Sequence, residues 1–358
     1  MKLKLMFPSF VVMLIAVGFI SAEACTGISL TAKDGSYIQA RTIEWGGSEL
    51  VSEYVIVPRG EKFTSYTPTG INGMTFQARY GMVGLSVVQK EFIVDGVNEA
   101  GLSAGLFYFP GYGKYPEYEA GKSDLYLSDL QFVSWVLSQF ATVEEVKAAV
   151  PSVRIVALEG SSTVHWRVGD ASGKQIVVEI VDGVPQIYDN KAGVLTNSPG
   201  FPWHVTNLNN YINLYAGSAP SKEMGNVQLN PFGAGTGFLG MPGDVTPPSR
   251  FIRAFFYQTT APQLETGENT VIQSFHILNN FDIPIGVEFE KGKVTDIPSA
   301  TQWTSVVDLT HRKLYYRTMY NSSIRCIDLN DIDFTKTKLV HYPLDEKQEQ
   351  PIVKVKLR

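Results

Sequence analysis

Apolar and polar residues alternate in short runs along most of this chain, and helical stripes are few. Thr26–Leu30 and Tyr37–Thr42 are β-forming runs separated by Lys33-Asp34-Gly35. Asp-Gly between two such runs signals a hairpin. Glu53–Val57 and Tyr80–Val88 read as further strands. The apolar runs on either side of Asn98-Glu99-Ala100-Gly101 predict a second hairpin, ended by Pro110-Gly111. Helical spacing then takes over at Leu130, Val133, Leu137 and Phe140, with Ser128 and Gln131 in capping-box positions. Thr142 with Glu145 opens another short helix, which must stop before Pro151.

Strand patterning returns in His165–Gly169, Gln175–Val181, Gln186–Tyr188 and Val194–Thr196, with turns at Asp170–Gly173 and Asp182-Gly183. This predicts a meander of four antiparallel strands. Phe201–Tyr215 is weakly helical, and Lys222–Val245 is a long segment containing Gly and Pro. Helices are predicted over Ser249–Tyr257, capped by Ser249, and over Asn269–Asn279. Ser305–Asp308, Lys313–Thr318 and Ile324–Ile327 close the chain with strands, leaving the polar tail after Lys336 peripheral. No βαβ alternation occurs. The class expected is therefore α+β, with two antiparallel sheets and helices on their outer faces.

The 358 residues are 44% hydrophobic and 18% charged, which is ordinary globular composition. A net charge of −5 without a Lys/Arg run argues against nucleic-acid binding. The five histidines are scattered without metal-ligand spacing, so no metal or cofactor is expected. Gly233-Ala-Gly-Thr-Gly237 lacks the Gly-Lys-Ser/Thr ending of a phosphate loop and reads as a plain loop. His165 beside Trp166 reads as a packed histidine.

Lys2 and Lys4, the apolar run Phe10–Ile20 and the small-x-small triplet Ala22-Glu23-Ala24 form a secretory signal, too short to span a membrane. Residues 1–24 are thus a leader, 25–358 a single domain, and the product is exported. Cleavage after Ala24 would leave Cys25 first, carrying a thiol and an α-amine of unperturbed pKa ~8 on one residue. That pair is a nucleophile with its own base. A lipidated cysteine on an anchored binding protein is the rival reading, which the acidic Glu23 fits poorly. Arg41 and Glu44 fall at the end of the neighbouring strand. On residue types alone they read most simply as a surface ion pair.

Several segments, in order, resemble the choloylglycine hydrolases, the bile salt hydrolases and penicillin V acylases of the N-terminal-nucleophile (Ntn) hydrolases. They are Cys25-Thr26, Ala40–Trp45, Asp95–Leu102 leading to Tyr108–Gly111, and Val164-His-Trp166. Gly193–Pro199, Asn207–Tyr211, Pro242-Gly-Asp244 and Ser249–Arg253 follow. The resemblance implies the αββα sandwich of that superfamily. It implies Cys25 as nucleophile, Arg41 beside the thiol favouring thiolate, and Glu44, where the family usually has Asp, orienting the α-amine. It further implies Tyr108 (backbone N–H) and Asn197 (side-chain N–H) as the oxyanion hole, with Arg250 completing the charged cluster. The substrate implied is an amphipathic small-molecule amide: conjugated bile salts first, then penicillin V or N-acyl homoserine lactones. The 203–245 segment resembles the assembly extension of tetrameric members, so a homotetramer is expected.

Overall fold

In the computed structural model two antiparallel sheets lie face to face, each covered on its outer side by helices. The residues described are 24–158, 163–288, 292 and 295–356, so the leader expected over 1–24 falls, apart from Ala24, outside the described residues. One sheet has five strands in the order Cys25–Thr31, Tyr37–Glu44, Thr301–Asp308, Lys313–Thr318 and Arg325–Asp328. The other has eight, in the order Val184–Asp189, Gln175–Val181, Val164–Asp170, Leu102–Tyr108, Ile93–Asn98, Met82–Val87, Ser52–Val57 and Val340–Pro343. Every pairing within both sheets is antiparallel. The αββα layering expected from the pattern is therefore present.

Among the described residues five α-helices complete it: α1 (Phe132–Gln139), α2 (Val143–Ala149), α3 (Phe201–Asn207), α4 (Pro247–Thr260) and α5 (Gly267–Leu278). Helix α1 packs on the eight-stranded sheet, and α4 and α5 pack on the five-stranded one. Among the described residues no helix is long and apolar enough to cross a membrane. The strand Tyr37–Glu44 is buried at every position, because α4 and α5 cover one face of its sheet and the second sheet covers the other.

The space between the sheets is not purely apolar. Arg41 and Arg167 are both buried there, with the Arg41 guanidinium 4.2 Å above the Phe107 ring centroid. Arg167 donates to the carbonyls of Ile28 and Ala40, which ties the two layers together. Burial pulls its pKa down to about 10. Gly27 makes this approach possible. A Cβ at that position would lie 2.8 Å from Arg167 Nη1 and 2.9 Å from the Phe107 ring.

The hairpins at Asp34-Gly35 and Asn98–Gly101 form as expected. Asn98 explains its place in the second turn. Its Oδ1 accepts from Ala100 N and Leu102 N, while Nδ2 donates to Leu137 O in the last turn of α1 and to Phe140 O just after it.

Four expectations need correction. The meander has three strands, not four, because Leu195 leaves it and bridges to Gly27 of the other sheet. The tail is only partly peripheral: Val340–Pro343 forms the edge strand beside Ser52–Val57, while the residues after Leu344 lie on the surface. The start of α4 is set by Pro247-Pro248 after Thr246, and Ser249 donates to Asp244 Oδ2 rather than capping the helix. Gln131 does not complete a capping box, since its Oε1 accepts from Ser65 Oγ and Tyr66 N.

Candidate active site

The first strand delivers Cys25 to the rim of the five-stranded sheet, opposite Ile43. Arg41 lies two residues along the partner strand, opposite Gly27, so both side chains share a face. Its Nη2 donates to Cys25 Sγ at 2.9 Å. Burying a guanidinium is costly unless its hydrogens are satisfied. Here the carbonyls of Thr42, Val94 and Leu106 accept from it. Arg41 and Glu44 are 0% and 1% exposed, so the surface-pair reading is overturned.

Asn197 and Arg250 approach from the other side. Asn197 Oδ1 accepts from Cys25 N at 2.9 Å and from Arg250 Nη2 at 2.7 Å, while its Nδ2 donates to Tyr108 O at 2.8 Å. Arg250 Nη1 also donates to Cys25 O and Thr26 Oγ1. The segment before α4 aims this guanidinium. Asp244 accepts from Thr246 and Ser249, Arg253 donates to Pro242 O and Asp244 O, and Arg250 Nε donates to Val245 O. The Ser249 hydroxyl and then Thr246 hold Asp244 down to a pKa of about 2. Burial lowers the pKa of Arg250, with Glu44 and Cys25 acting in the opposite sense.

Glu44 lies opposite Ala24, and its backbone N–H donates to Ala24 O at 2.8 Å. Its Oε1 accepts from Thr301 Oγ1 at 3.2 Å, whereas Oε2 is buried without a hydrogen-bond partner among the described residues. The hydrogen of Cys25 N goes to Asn197, not to Glu44. Cys25 N is here still in peptide linkage with Ala24, a buried residue packed on Ile283 and Ala300. Burial pushes the Glu44 carboxyl up to about 8 despite the nearby Arg250.

The cluster thus contains a thiol touching a fixed cation, a side-chain amide bonded to the nitrogen of that same cysteine, and a carboxyl with an unfilled acceptor. That set suits acyl transfer by an N-terminal cysteine. Residues 25–342 match the model of the linear amide C–N hydrolases, choloylglycine hydrolase family, and the match begins at Cys25. The chain belongs to this family. Among curated relatives, it is 34% identical to the bile salt hydrolase/transferase of Clostridium perfringens over 89% of this chain and 97% of that one. It is 26% identical to the penicillin V acylase of Pectobacterium atrosepticum, over 89% of this chain and 85% of the other. The solved structure of a conjugated bile acid hydrolase mutant from Clostridium perfringens superposes with a TM-score of 0.81 at 32% identity, covering 93% of this chain and all of that one. Penicillin V acylase from Agrobacterium tumefaciens gives 0.72 at 25% identity, over 90% and 92%. The chain is accordingly an Ntn-fold hydrolase of linear amide bonds.

The six expected residues gather around Cys25 at the rim of the five-stranded sheet, Arg41 on the inter-sheet face and Glu44 and Arg250 on the helix-covered face: Cys25, Arg41, Glu44, Tyr108, Asn197 and Arg250. Sequence reading missed what stands behind them. Asp95 accepts from Ser305 Oγ at 2.6 Å, and Ser305 is the residue opposite Arg41 in the sheet. Gly105, opposite Asp95, has no Cβ to collide with Asp95 Oδ1. Asp95 falls within the Asp95–Leu102 segment, but strand spacing does not reveal which residues of two sheets face each other.

Proposed function

We propose that the chain is an exported N-terminal-cysteine amidase that hydrolyses glycine and taurine conjugates of bile salts. The observation that carries this reading is the Arg41–Cys25–Asn197 arrangement at the residue where the family match begins. Relatives at 34% and 35% identity are named for bile salts, which favours that acyl group over penicillin V.

In the mechanism, removal of residues 1–24 frees the α-amine of Cys25. The amine takes the thiol proton as sulfur adds to the amide carbonyl carbon. The oxyanion is met by the backbone N–H of Tyr108 and by the Asn197 Nδ2 hydrogen not donated to Tyr108 O. The α-ammonium passes its proton to the leaving nitrogen as the C–N bond breaks, giving a thioester and glycine or taurine. Water, deprotonated by the α-amine, then cleaves the thioester and restores the thiol. Glu44 Oε2, without a hydrogen-bond partner among the described residues, is the acceptor available to the new ammonium.

We also read the segment after α3 as a subunit contact of a homotetramer. The short hairpin of Lys222–Met224 and Val227–Leu229 is exposed throughout, and Phe232 beside it is 99% exposed.

The test is release of glycine or taurine from glycocholate and taurocholate, with penicillin V in parallel, by protein whose N-terminus has been sequenced. Processed wild type is expected to start at Cys25 and to turn over the bile salts. Cys25→Ala is expected to fold and be inactive. A fully active Cys25→Ala, or turnover of penicillin V alone, would refute the mechanism or the substrate, respectively.

A further inference from the structure

Two buried histidines that play no part in the chemistry above hold the main chain on either side of Asn197. His165, on the strand Val164–Asp170, places Nε2 3.0 Å from Thr196 O. His204, on α3, places Nε2 2.9 Å from Asn197 O. Both are 0% exposed. A carbonyl only accepts, so each Nε2 must carry the hydrogen. Burial holds His204 neutral, its pKa pulled down to about 4, which fixes it as the Nε2–H tautomer. His165 Nδ1 meets Glu179 Oε1 at 3.1 Å, and that oxygen also accepts from the N–H of Phe201, the first residue of α3, at 2.8 Å. One carboxylate therefore ties the two histidine-bearing elements together.

The ring packing repeats the pattern. His165 stacks on Phe109, centroids 4.4 Å apart and 8° between planes, and His204 stacks on Phe251 at 4.7 Å and 11°. Phe109 follows Tyr108, whose carbonyl accepts from Asn197 Nδ2, and Phe251 follows Arg250, which donates to Asn197 Oδ1. Each histidine bonds one carbonyl flanking the Asn197 side chain and stacks on the neighbour of a residue that grips its amide.

We propose that His165 and His204 are positioning residues for amide hydrolysis. Through the carbonyls of Thr196 and Asn197 they fix the carboxamide so that Oδ1 faces the Cys25 nitrogen and Nδ2 faces the oxyanion. The inference rests on the role given to Asn197 above. A filler role would ask only for volume and apolarity at the two sites. The positioning role asks for the Nε2–H donor.

His204→Gln keeps an N–H donor of similar reach, and His204→Leu removes it. Processed forms of both are compared with wild type on glycocholate, taurocholate and penicillin V. For His204→Leu, kcat is expected to fall ~30-fold or more with KM changed by less than about threefold, as misplacement of a catalytic group implies, and His204→Gln to recover to within about fivefold of wild type. A crystal structure of the Leu variant should show the Asn197 carboxamide turned away from Tyr108 O. Wild-type kcat in His204→Leu, or a Gln variant as impaired as the Leu variant, overturns the proposal. If the Leu variant does not fold, Phe109→Leu and Phe251→Leu remove the stacking and leave both donors. They are expected to lower kcat, and wild-type kcat in both overturns the proposal. Asn197→Ala, run alongside, separates the two levels: activity retained there refutes the role of Asn197 itself.

Discussion

Arg41 Nη2 lies 2.9 Å from the sulfur of Cys25, a diagonal contact between adjacent strands. The guanidinium is held by three carbonyls and by the Phe107 ring, so its direction is set by the sheets, not by solvent. Lysine cannot reproduce that fork, since its ammonium is a point charge on a flexible stem. Arg41→Lys is therefore expected to lower kcat/KM by roughly two orders of magnitude, the scale of losing one positioned charge in a water-excluded site. Alkylation of Cys25 by iodoacetamide at pH 7 should slow as well, because a thiolate there is no longer met by a cation held in place. An unchanged alkylation rate in a folded variant would show that Arg41 does not govern the sulfur.

Much of this arrangement was legible in the sequence, for a definable reason. Strand alternation and turn residues are local signals, and they located the two hairpins that bring Cys25 beside Arg41 and Asp95 beside Gly105. The register of the first hairpin then placed Glu44 beside Ala24. What failed was non-local. His204 lies on a short helix of weak pattern, and its partner Asn197 O is fixed by folding of the intervening loop. His165 read as a packed histidine and is one. Its bond to Thr196 O becomes visible only once Leu195 has crossed to Gly27 of the opposite sheet. Val340–Pro343 was missed because an edge strand exposed on one side has little apolar periodicity to betray it.

Gly27 can be tested directly. A methyl group there would meet Arg167 Nη1 at 2.8 Å and the Phe107 ring at 2.9 Å, both in the packed layer between the sheets. Neither can retreat, because Arg167 is tied to Ile28 O and Ala40 O and Phe107 lies under Arg41. Gly27→Ala is expected to cost ~1–3 kcal/mol in urea unfolding, the usual price of overpacking. It should also depress kcat, since Phe107 supports Arg41. Full stability and activity together would mean that the layer yields more readily than its close contacts imply.

The exposed hairpin after α3 bears on assembly. Met224, Val227 and Leu229 are all more than 40% exposed, and Phe232 more so. On the proposed tetramer, replacing Phe232 and Met224 with Asp should shift the assembly to smaller species in sedimentation equilibrium while the far-UV circular dichroism stays unchanged. A tetramer that survives both substitutions places the subunit contact elsewhere.

Glu44 gives the sharpest test, because processing should switch its carboxyl from protonated to ionised at neutral pH. With Ala24 attached, burial raises its pKa from 4.5 to about 8. Below pH ~4.5 the carboxyl is protonated in both folded and unfolded chains and contributes no pH dependence. Between that pH and about 8 the unfolded chain releases the proton while the folded chain keeps it, so stability falls as pH rises. The slope is at most ~1.4 kcal/mol per pH unit. Removing residues 1–24 puts an ammonium where the peptide nitrogen was, and Glu44 Oε2, without a hydrogen-bond partner among the described residues, is the acceptor proposed for it. A cation there favours the carboxylate, lowers its folded pKa and removes that slope. Urea unfolding at pH 5 and pH 8 is the measurement, on Cys25→Ala chains with and without residues 1–24. The longer chain should be less stable at pH 8 than at pH 5 by more than the shorter one is, and Glu44→Gln should abolish the difference between them. Equal pH dependence in the two chains would show that Glu44 does not sense the new amine.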